Sequence, residues 1–168
     1  CGVTVQAFDF TPRAIRHVQT AAAGQPRFVF HPVGLWNADT TLQFWAPRNP
    51  AHVSYSALNL QGTQESLAAP VRRPASLLRE LGQVRIDLLK LDVEGAEYAV
   101  LSSLLEDGLL PQVLCVEFDQ PLPVWRTVSL LWRLHRAGMR LVAVEVWNHT
   151  FVQKSLLEDR ASQSQIVR

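Results

Sequence analysis

The chain has 168 residues and a formal net charge of +1, with 48% hydrophobic and 18% charged residues. That balance is ordinary for one globular domain with its own core, and it excludes an intrinsically disordered chain. The basic residues form no stripe, so the composition does not indicate a nucleic-acid partner. No apolar run is long enough to predict a membrane span, and no signal peptide is recognisable, so the default expectation is a cytoplasmic protein.

The start of the chain has the pattern of a strand, a helix and a second strand. Residues 2–9 are rich in β-formers and end in a carboxylate. Thr11 and Pro12 follow, and these residue types are favoured as a helix cap and as a first helical residue. The helix is expected to run to about Ala23, and residues 27–33 are predicted to form the second strand. A strand, a helix and a strand are the repeating unit of a parallel sheet.

The next segment, residues 35–73, has a different character. Gly, Pro, Asn and Ser are scattered through it, and residues 40–45 are its β-prone part. We predict a short hairpin followed by an irregular loop. Because long loops in compact domains are usually functional or disordered, two interpretations stay open: a surface loop without a role, and a lid over a substrate or cofactor.

Regular structure resumes after residue 73 and alternates between helices and strands. The predicted helices are 74–82, 96–106 and 124–137, and the predicted strands are 86–92, 112–118, 140–147 and 150–153. The strand at 112–118 is almost continuously apolar, which is typical of burial on both faces. The last strand is expected to run antiparallel to the one before it. We therefore expect one domain over residues 1–154 and a polar tail over 155–168.

The densest polar cluster is Lys90-Leu-Asp-Val-Glu-Gly-Ala-Glu97. An apolar strand ends at Asp92, and ligands of open α/β sheets bind outside the carboxyl ends of the strands. Asp92 and Glu94 are therefore candidate catalytic residues. Lys90 is a candidate for substrate binding, with pairing to a neighbouring carboxylate as the structural alternative. Glu97 is also explained as a residue that the helix dipole favours at a helix start.

Two more carboxylates end predicted strands. Asp9 ends the first one, where dinucleotide-binding folds hold ribose hydroxyls, although it could instead cap the following helix. Glu117 interrupts an apolar strand, and a buried carboxylate needs a partner or a ligand, so it is a candidate for substrate binding. The five histidines lack metal-ligand spacing, and no metal site is assigned. An oxygen-ligand magnesium site at Asp92, Glu94 and Glu117 is the alternative.

A resemblance to a known family follows from three of these segments. Residues 86–97, Ile-Asp-Leu-Leu-Lys-Leu-Asp-Val-Glu-Gly-Ala-Glu, closely resemble the hallmark segment of FkbM-type methyltransferases. Residues 7–12 resemble that family's second strand and the turn after it, and residues 113–118 resemble its following core strand with an acidic end. The resemblance implies an α/β, Rossmann-like class I methyltransferase fold. In that fold a mostly parallel sheet carries helices on both faces and has an antiparallel last strand.

The resemblance also implies an activity and a set of site residues. Such enzymes transfer a methyl group from S-adenosylmethionine to a nucleophile, here most often a hydroxyl of a small-molecule, sugar or lipid-linked acceptor. Asp9 would hold the cofactor ribose. Asp92 and Glu94 would face the methyl group and the acceptor, with Asp92 the first choice for the base that takes the proton. Three residues at the end of the second predicted strand would lie against the adenine: Val33, Gly34 and Leu35.

One part of the family pattern has no counterpart in the sequence. The family's first strand and its glycine-rich turn are missing, and no Asp-x-Gly-x-x-x-Gly pattern occurs in the chain. The expectation is therefore a sequence truncated upstream of Cys1. Two rival interpretations stay open: a non-catalytic methyltransferase-like remnant or binding module, and another nucleotide-binding α/β protein such as a dehydrogenase. The lack of a Gly-x-Gly-x-x-Gly pattern counts against the second rival.

Overall fold

A computed structural model of the chain describes residues 2–22, 24–49, 54–59, 61–118 and 123–158. Within those residues the chain forms strands and helices in the following order. They are β1 (Val5–Phe8), α1 (Pro12–Ala21), β2 (Phe28–His31), β3 (Gly34–Leu35), β4 (Thr40–Trp45), β5 (Ser66–Arg72), α2 (Pro74–Glu80), β6 (Leu88–Leu91), α3 (Glu97–Asp107), β7 (Val113–Glu117), α4 (Val124–Arg136), β8 (Met139–Glu145) and β9 (Asn148–Gln153).

The described strands form three sheets rather than one. β1 pairs with β2, the second sheet has the order β3-β5-β4, and the third has the order β6-β7-β9-β8. The pairs β1–β2, β3–β5 and β6–β7 are parallel, whereas β4–β5, β7–β9 and β8–β9 are antiparallel. The prediction of one mostly parallel sheet is therefore wrong, and the sheets are mixed.

The hairpin at the end of the chain explains much of this mixing. β8 and β9 are joined by only two residues, Val146 and Trp147, and a connection that short can link only antiparallel strands. β9 then lies between β8 and β7 and runs antiparallel to both. The predicted antiparallel last strand is confirmed.

The predicted strand–helix–strand unit at the start of the chain is also confirmed. Thr11 caps α1, since its Oγ1 accepts a hydrogen bond from the backbone N–H of Ala14 at 3.3 Å, and Pro12 is the first helical residue. The helix leads back to β2, which pairs in parallel with β1 from Val5 opposite Phe28 onward. This unit brings the carboxyl end of β1, and with it Asp9, to one edge of the sheet.

β5 was not expected, because the sequence predicts an irregular loop there. Pro70 lies inside this strand, and proline normally argues against a central strand since it has no N–H to donate. The structure shows why it is tolerated. β3 pairs only with Val71 and Arg72 of β5, so at Pro70 the strand has a neighbour on one side only, which is β4.

The main hydrophobic core lies between the third sheet and helices α3 and α4. Its fully buried members include Leu91, Val100, Leu101, Leu104, Leu114, Leu134 and Met139. On α4, Leu130 and Leu134 are buried and Leu131 packs against the core, as the helical spacing predicts. A smaller cluster, Phe44, Ala69 and Val71, forms the core of the second sheet. Because β6 and β7 are anchored in the larger core, the loop that follows β6 has a rigid base.

The chain beyond β9 continues as a short helical segment at 154–158. The rest of the predicted polar tail, residues 159–168, lies outside the described residues. Across the described ranges, no helix is long and apolar enough to cross a bilayer.

Candidate functional site

A cavity of about 410 Å³ lies at the carboxyl ends of β1 and β6 and against β3. That volume lies within the range of small-molecule pockets. Its wall combines three kinds of chemistry. Three carboxylates, Asp9, Asp92 and Glu94, share it with two basic side chains, Arg13 and His17, and with four aromatic rings, Phe8, Phe10, Phe44 and Tyr55. Flat apolar rings beside carboxylates can bind a ligand that has both a planar base and hydroxyl groups.

Five of the eight residues predicted for the site line this one cavity: Asp9, Gly34, Leu35, Asp92 and Glu94. They come from segments up to 85 positions apart in the sequence, counted from Asp9 to Glu94. Three predicted residues are not among those that line it: Val33, Lys90 and Glu117. Val33 lies in a tight turn, where its N–H donates to the carbonyl of His31 at 2.8 Å. Glu117 ends β7 in register with Asn148 of β9 and is half-buried.

Asp9 has a local role as well as a place on the cavity wall. Its Oδ1 accepts a hydrogen bond from the backbone N–H of Thr11 at 2.7 Å. This bond orders the turn between β1 and α1. The cap of α1 is Thr11, so the alternative that Asp9 itself caps the helix is wrong. The bond from Thr11 occupies only one carboxylate oxygen of Asp9, and a carboxylate can accept further bonds from a ligand's hydroxyl groups. The two roles of Asp9 are therefore compatible.

Lys90 contacts the site through Asp92. Its Nζ lies 2.8 Å from Oδ2 of Asp92, and both side chains are about half exposed to solvent. The alternation of a strand places the side chains of residues two apart on the same face, which brings this pair together. Lys90 is therefore paired with a neighbouring carboxylate, which is the structural alternative that the sequence left open for it. Oδ1 of Asp92 has no protein partner among the described residues.

The turn from β6 to α3 has an unusual backbone. Glu94 has φ 48° and Gly95 has φ 98°, so two successive residues adopt left-handed conformations. A Cβ on Gly95 would lie 3.1 Å from Cδ1 and Cγ of Leu58, so only glycine fits there without displacing a neighbour. This conformation brings Asp92 and Glu94 to the same cavity wall within a single short turn.

Several wall residues were not identified from the sequence. Arg13 and His17 lie four residues, about one helical turn, apart on α1. This spacing, on the helix that directly follows Asp9, was the signal that could have identified them. Ser54 and Tyr55 carried no such signal, because they lie in the segment that was predicted to be irregular. No group of three His, Cys, Asp or Glu side chains within the described ranges could hold a metal ion, and Glu117 does not line the wall with Asp92 and Glu94.

The shifted pKa values lie outside this cavity, in an ion-pair network where β5 meets α2 and α3. A hydrogen bond from the Ser76 side chain, and then the backbone N–H of Arg73, lower the pKa of Asp39. Asp107, with Glu106, raises the pKa of the Arg73 guanidinium, whose Nε lies 2.8 Å from Oδ2 of Asp107. The network ties the start of α2 to the end of α3, so its role is structural.

Comparison with known proteins gives one family. The model of the methyltransferase FkbM domain matches residues 5–139. Among solved structures, the chain is similar to a methyltransferase FkbM from Methylobacillus flagellatus KT, with 12% sequence identity and a TM-score of 0.47. The similarity covers 89% of this chain and 36% of that one, so this chain spans little more than a third of that protein's length. No curated protein matches the chain.

Proposed function

Since the chain belongs to the methyltransferase FkbM domain family, we propose that it transfers a methyl group from S-adenosylmethionine to a hydroxyl of a small-molecule, sugar or lipid-linked acceptor. The observation that carries the proposal is the shared cavity. Asp9 and the pair Asp92 and Glu94 lie at the ends of different strands, and all three line one space of about 410 Å³. We also propose that the chain has the Rossmann-like class I arrangement, in which ligands bind at the carboxyl ends of parallel strands.

The cavity residues suit the adenosine part of such a donor. Asp9 offers a carboxylate to the ribose hydroxyls, which is the usual role of an acidic residue at this position in dinucleotide-type folds. Phe8 and Phe10 flank it in sequence and line the same wall, so aromatic surface for a purine lies beside the ribose site. Gly34 and Leu35 extend that wall from β3. No described residue is assigned to the methionine end of the donor.

The donor, when bound, supplies a methyl group on a positively charged sulfur, and the protein's residues do the rest. Asp92 accepts the proton of the acceptor hydroxyl on its Oδ1, while its Oδ2 stays bound to Lys90. Glu94 adds a second carboxylate to the same wall. Its negative charge favours binding of a cationic donor, and its oxygens accept a hydrogen bond from the acceptor. The remaining contribution is alignment of the two reactants, which can supply a large part of the rate enhancement.

Replacement of Asp92 by Asn tests the proposed base. The substitution removes a proton acceptor but keeps the size of the side chain, so methyl transfer should fall on the order of a hundredfold or more. Binding of S-adenosylhomocysteine, measured by calorimetry, should stay within a few-fold, because Asp9 and the aromatic wall are unchanged. Asp87→Asn is the matched control. Asp87 lies five residues before Asp92, forms an exposed ion pair with Arg85 and does not line the cavity.

The outcomes separate the possible functions. Unchanged turnover in the Asp92→Asn variant would remove Asp92 as the base. Binding of S-adenosylhomocysteine without methyl transfer to any hydroxyl acceptor would favour the alternative of a non-catalytic binding module. Absence of heat at millimolar ligand would contradict the cofactor assignment itself, and with it the proposed function.

A further inference from the structure

Glu97 is the one charged side chain of the described residues that is almost completely buried, with 1% of its surface exposed. A buried carboxylate is costly unless hydrogen bonds compensate the loss of water. Glu97 has such bonds, and both lead back into the turn that carries the candidate catalytic residues. Its Oε1 accepts from the N–H of Val93 at 3.0 Å, and its Oε2 accepts from the N–H of Gly95 at 3.0 Å.

The two N–H groups lie on either side of Glu94 in the chain. One carboxylate group therefore bridges the turn across the residue whose backbone is left-handed with a φ of 48°. For an L-residue that conformation is unfavourable and persists only where the surroundings determine it. Hydrogen bonds to an ionised acceptor are among the stronger ones in proteins, so Glu97 can supply that constraint.

A second set of contacts holds the same turn from outside. The Ser56 hydroxyl donates to the carbonyl of Glu94 at 2.7 Å, and the N–H of Ala57 donates to that carbonyl at 3.2 Å. The side chain of Leu58 lies against Gly95, where a Cβ would come within 3.1 Å of it. The turn is thus fixed on its inner side by Glu97 and on its outer side by residues 56–58.

We propose that Glu97 is a positioning residue of the active site, a role that rests on the proposed function. It is not among the residues that line the cavity, so it acts through the backbone of the turn. By fixing the N–H groups on both sides of Glu94, it sets the directions in which Asp92 and Glu94 present their carboxylates. An isolated helix-start role would need only a negative charge near the first turn of α3, whereas this geometry uses both oxygens on specific amides.

Glu97→Gln tests this role with the smallest possible change. The variant keeps size and one acceptor oxygen, but its NH₂ group now faces a backbone N–H, so a donor meets a donor. We expect kcat to fall on the order of tenfold to a hundredfold, since small displacements of reacting groups cost that much. KM for the donor should change less than threefold, because the ribose and purine walls do not contain Glu97. Amide hydrogen exchange at Gly95 or Val93 should become faster.

Ser103→Ala is the matched control. Ser103 is the other buried polar side chain of α3, with 0% exposure, and its hydroxyl donates to the carbonyl of Val100 within the helix. It does not line the cavity, so its removal perturbs the interior of α3 without touching the turn. The control should keep kcat within twofold of the wild type, and it should leave the exchange of the Gly95 amide unchanged.

Two results would overturn the positioning role. One is a Glu97→Gln variant that keeps kcat within twofold of the wild type. The other is an equal loss of kcat in both variants, which would show that any perturbation of α3 has the same effect. If the wild-type protein itself neither binds S-adenosylhomocysteine nor transfers methyl groups, the proposed function fails separately. The exchange rates then decide alone, and unchanged protection of Gly95 in Glu97→Gln overturns the claim that Glu97 fixes the turn.

Discussion

Replacing Gly95 by Ala gives the most direct measure of how tightly the turn between β6 and α3 is constrained. The backbone of Gly95 has φ 98°, and an L-residue with positive φ costs roughly 1–2 kcal/mol. The added Cβ would also lie 3.1 Å from two atoms of the Leu58 side chain. That contact is tighter than normal packing, and overpacking typically costs about 1–3 kcal/mol, toward the lower end where a flexible side chain can move. The free energy of unfolding should therefore fall by about 2–3 kcal/mol.

Gly108 separates the two contributions. It ends α3 with φ 65°, and a Cβ there would meet no atom within 4 Å. Gly108→Ala should therefore show the backbone cost alone, roughly 1–2 kcal/mol, in the same urea-unfolding measurement. Gly95→Ala should exceed it by about 1 kcal/mol or more, and the excess should disappear in a Leu58→Ala background. Equal costs for the two glycines in the wild-type background would refute the claim that Leu58 packs closely against the turn.

Two further predictions concern other parts of the fold. The Ser76 side chain, and then the backbone N–H of Arg73, lower the pKa of Asp39 below its ordinary value of 3.8. The ionised Asp39 carboxylate therefore stabilises the fold fully above pH 3.8, and this stabilisation is lost as the pH falls through the lowered pKa. The stability difference between wild type and Asp39→Asn, measured by urea unfolding, should therefore be larger at pH 6 than at pH 3, and a difference that does not depend on pH would contradict it. A Cβ on Gly34 would lie 3.1 Å from the Phe10 side chain, so Gly34→Ala should lower the free energy of unfolding by about 1–3 kcal/mol. Because both residues line the cavity, the variant should also bind S-adenosylhomocysteine more weakly in calorimetry. Unchanged binding would contradict the placement of Gly34.

The sequence predicted local features well where one residue type has one dominant preference. Thr11 and Pro12 marked the start of α1, and the apolar run before Asp92 marked β6, because caps and buried strands depend on near neighbours. Scattered Gly, Pro, Asn and Ser led to a predicted loop where β5 forms. Pro70 is tolerated in that strand only because β3 is short, and nothing near Pro70 in the sequence reveals that. The pairing of strands into three mixed sheets also depends on distant contacts.

The same distinction applies to the site. Asp9, Asp92 and Glu94 could be proposed from strand ends, since the ends of parallel strands are where α/β folds bind ligands. Whether Glu97 contacts only its own helix or the preceding turn could not be read from spacing. A glutamate at a helix start suits the dipole in either case. The contact depends on the fold of the turn, in which both oxygens of Glu97 accept backbone hydrogen bonds.

The segment predicted to form a short hairpin and then an irregular loop connects the two halves of the site. Asp9 and Asp92 follow strands of separate sheets, β1 and β6, so strand pairing alone does not fix the distance between them. Phe10, next to Asp9, packs on Phe44 of β4 with ring centroids 4.1 Å apart. Ser56 bridges to Trp45 at the end of β4 through two backbone hydrogen bonds, and its hydroxyl bonds the Glu94 carbonyl. The described part of this segment therefore contacts both acidic turns, through Phe44 of β4 on one side and through Ser56 on the other. Of the two interpretations left open for residues 35–73, a lid over a substrate or cofactor stays a prediction. The contacts of the described residues favour a role for the segment over a surface loop without one, because they hold the turn that carries Glu94 and pack against the neighbour of Asp9.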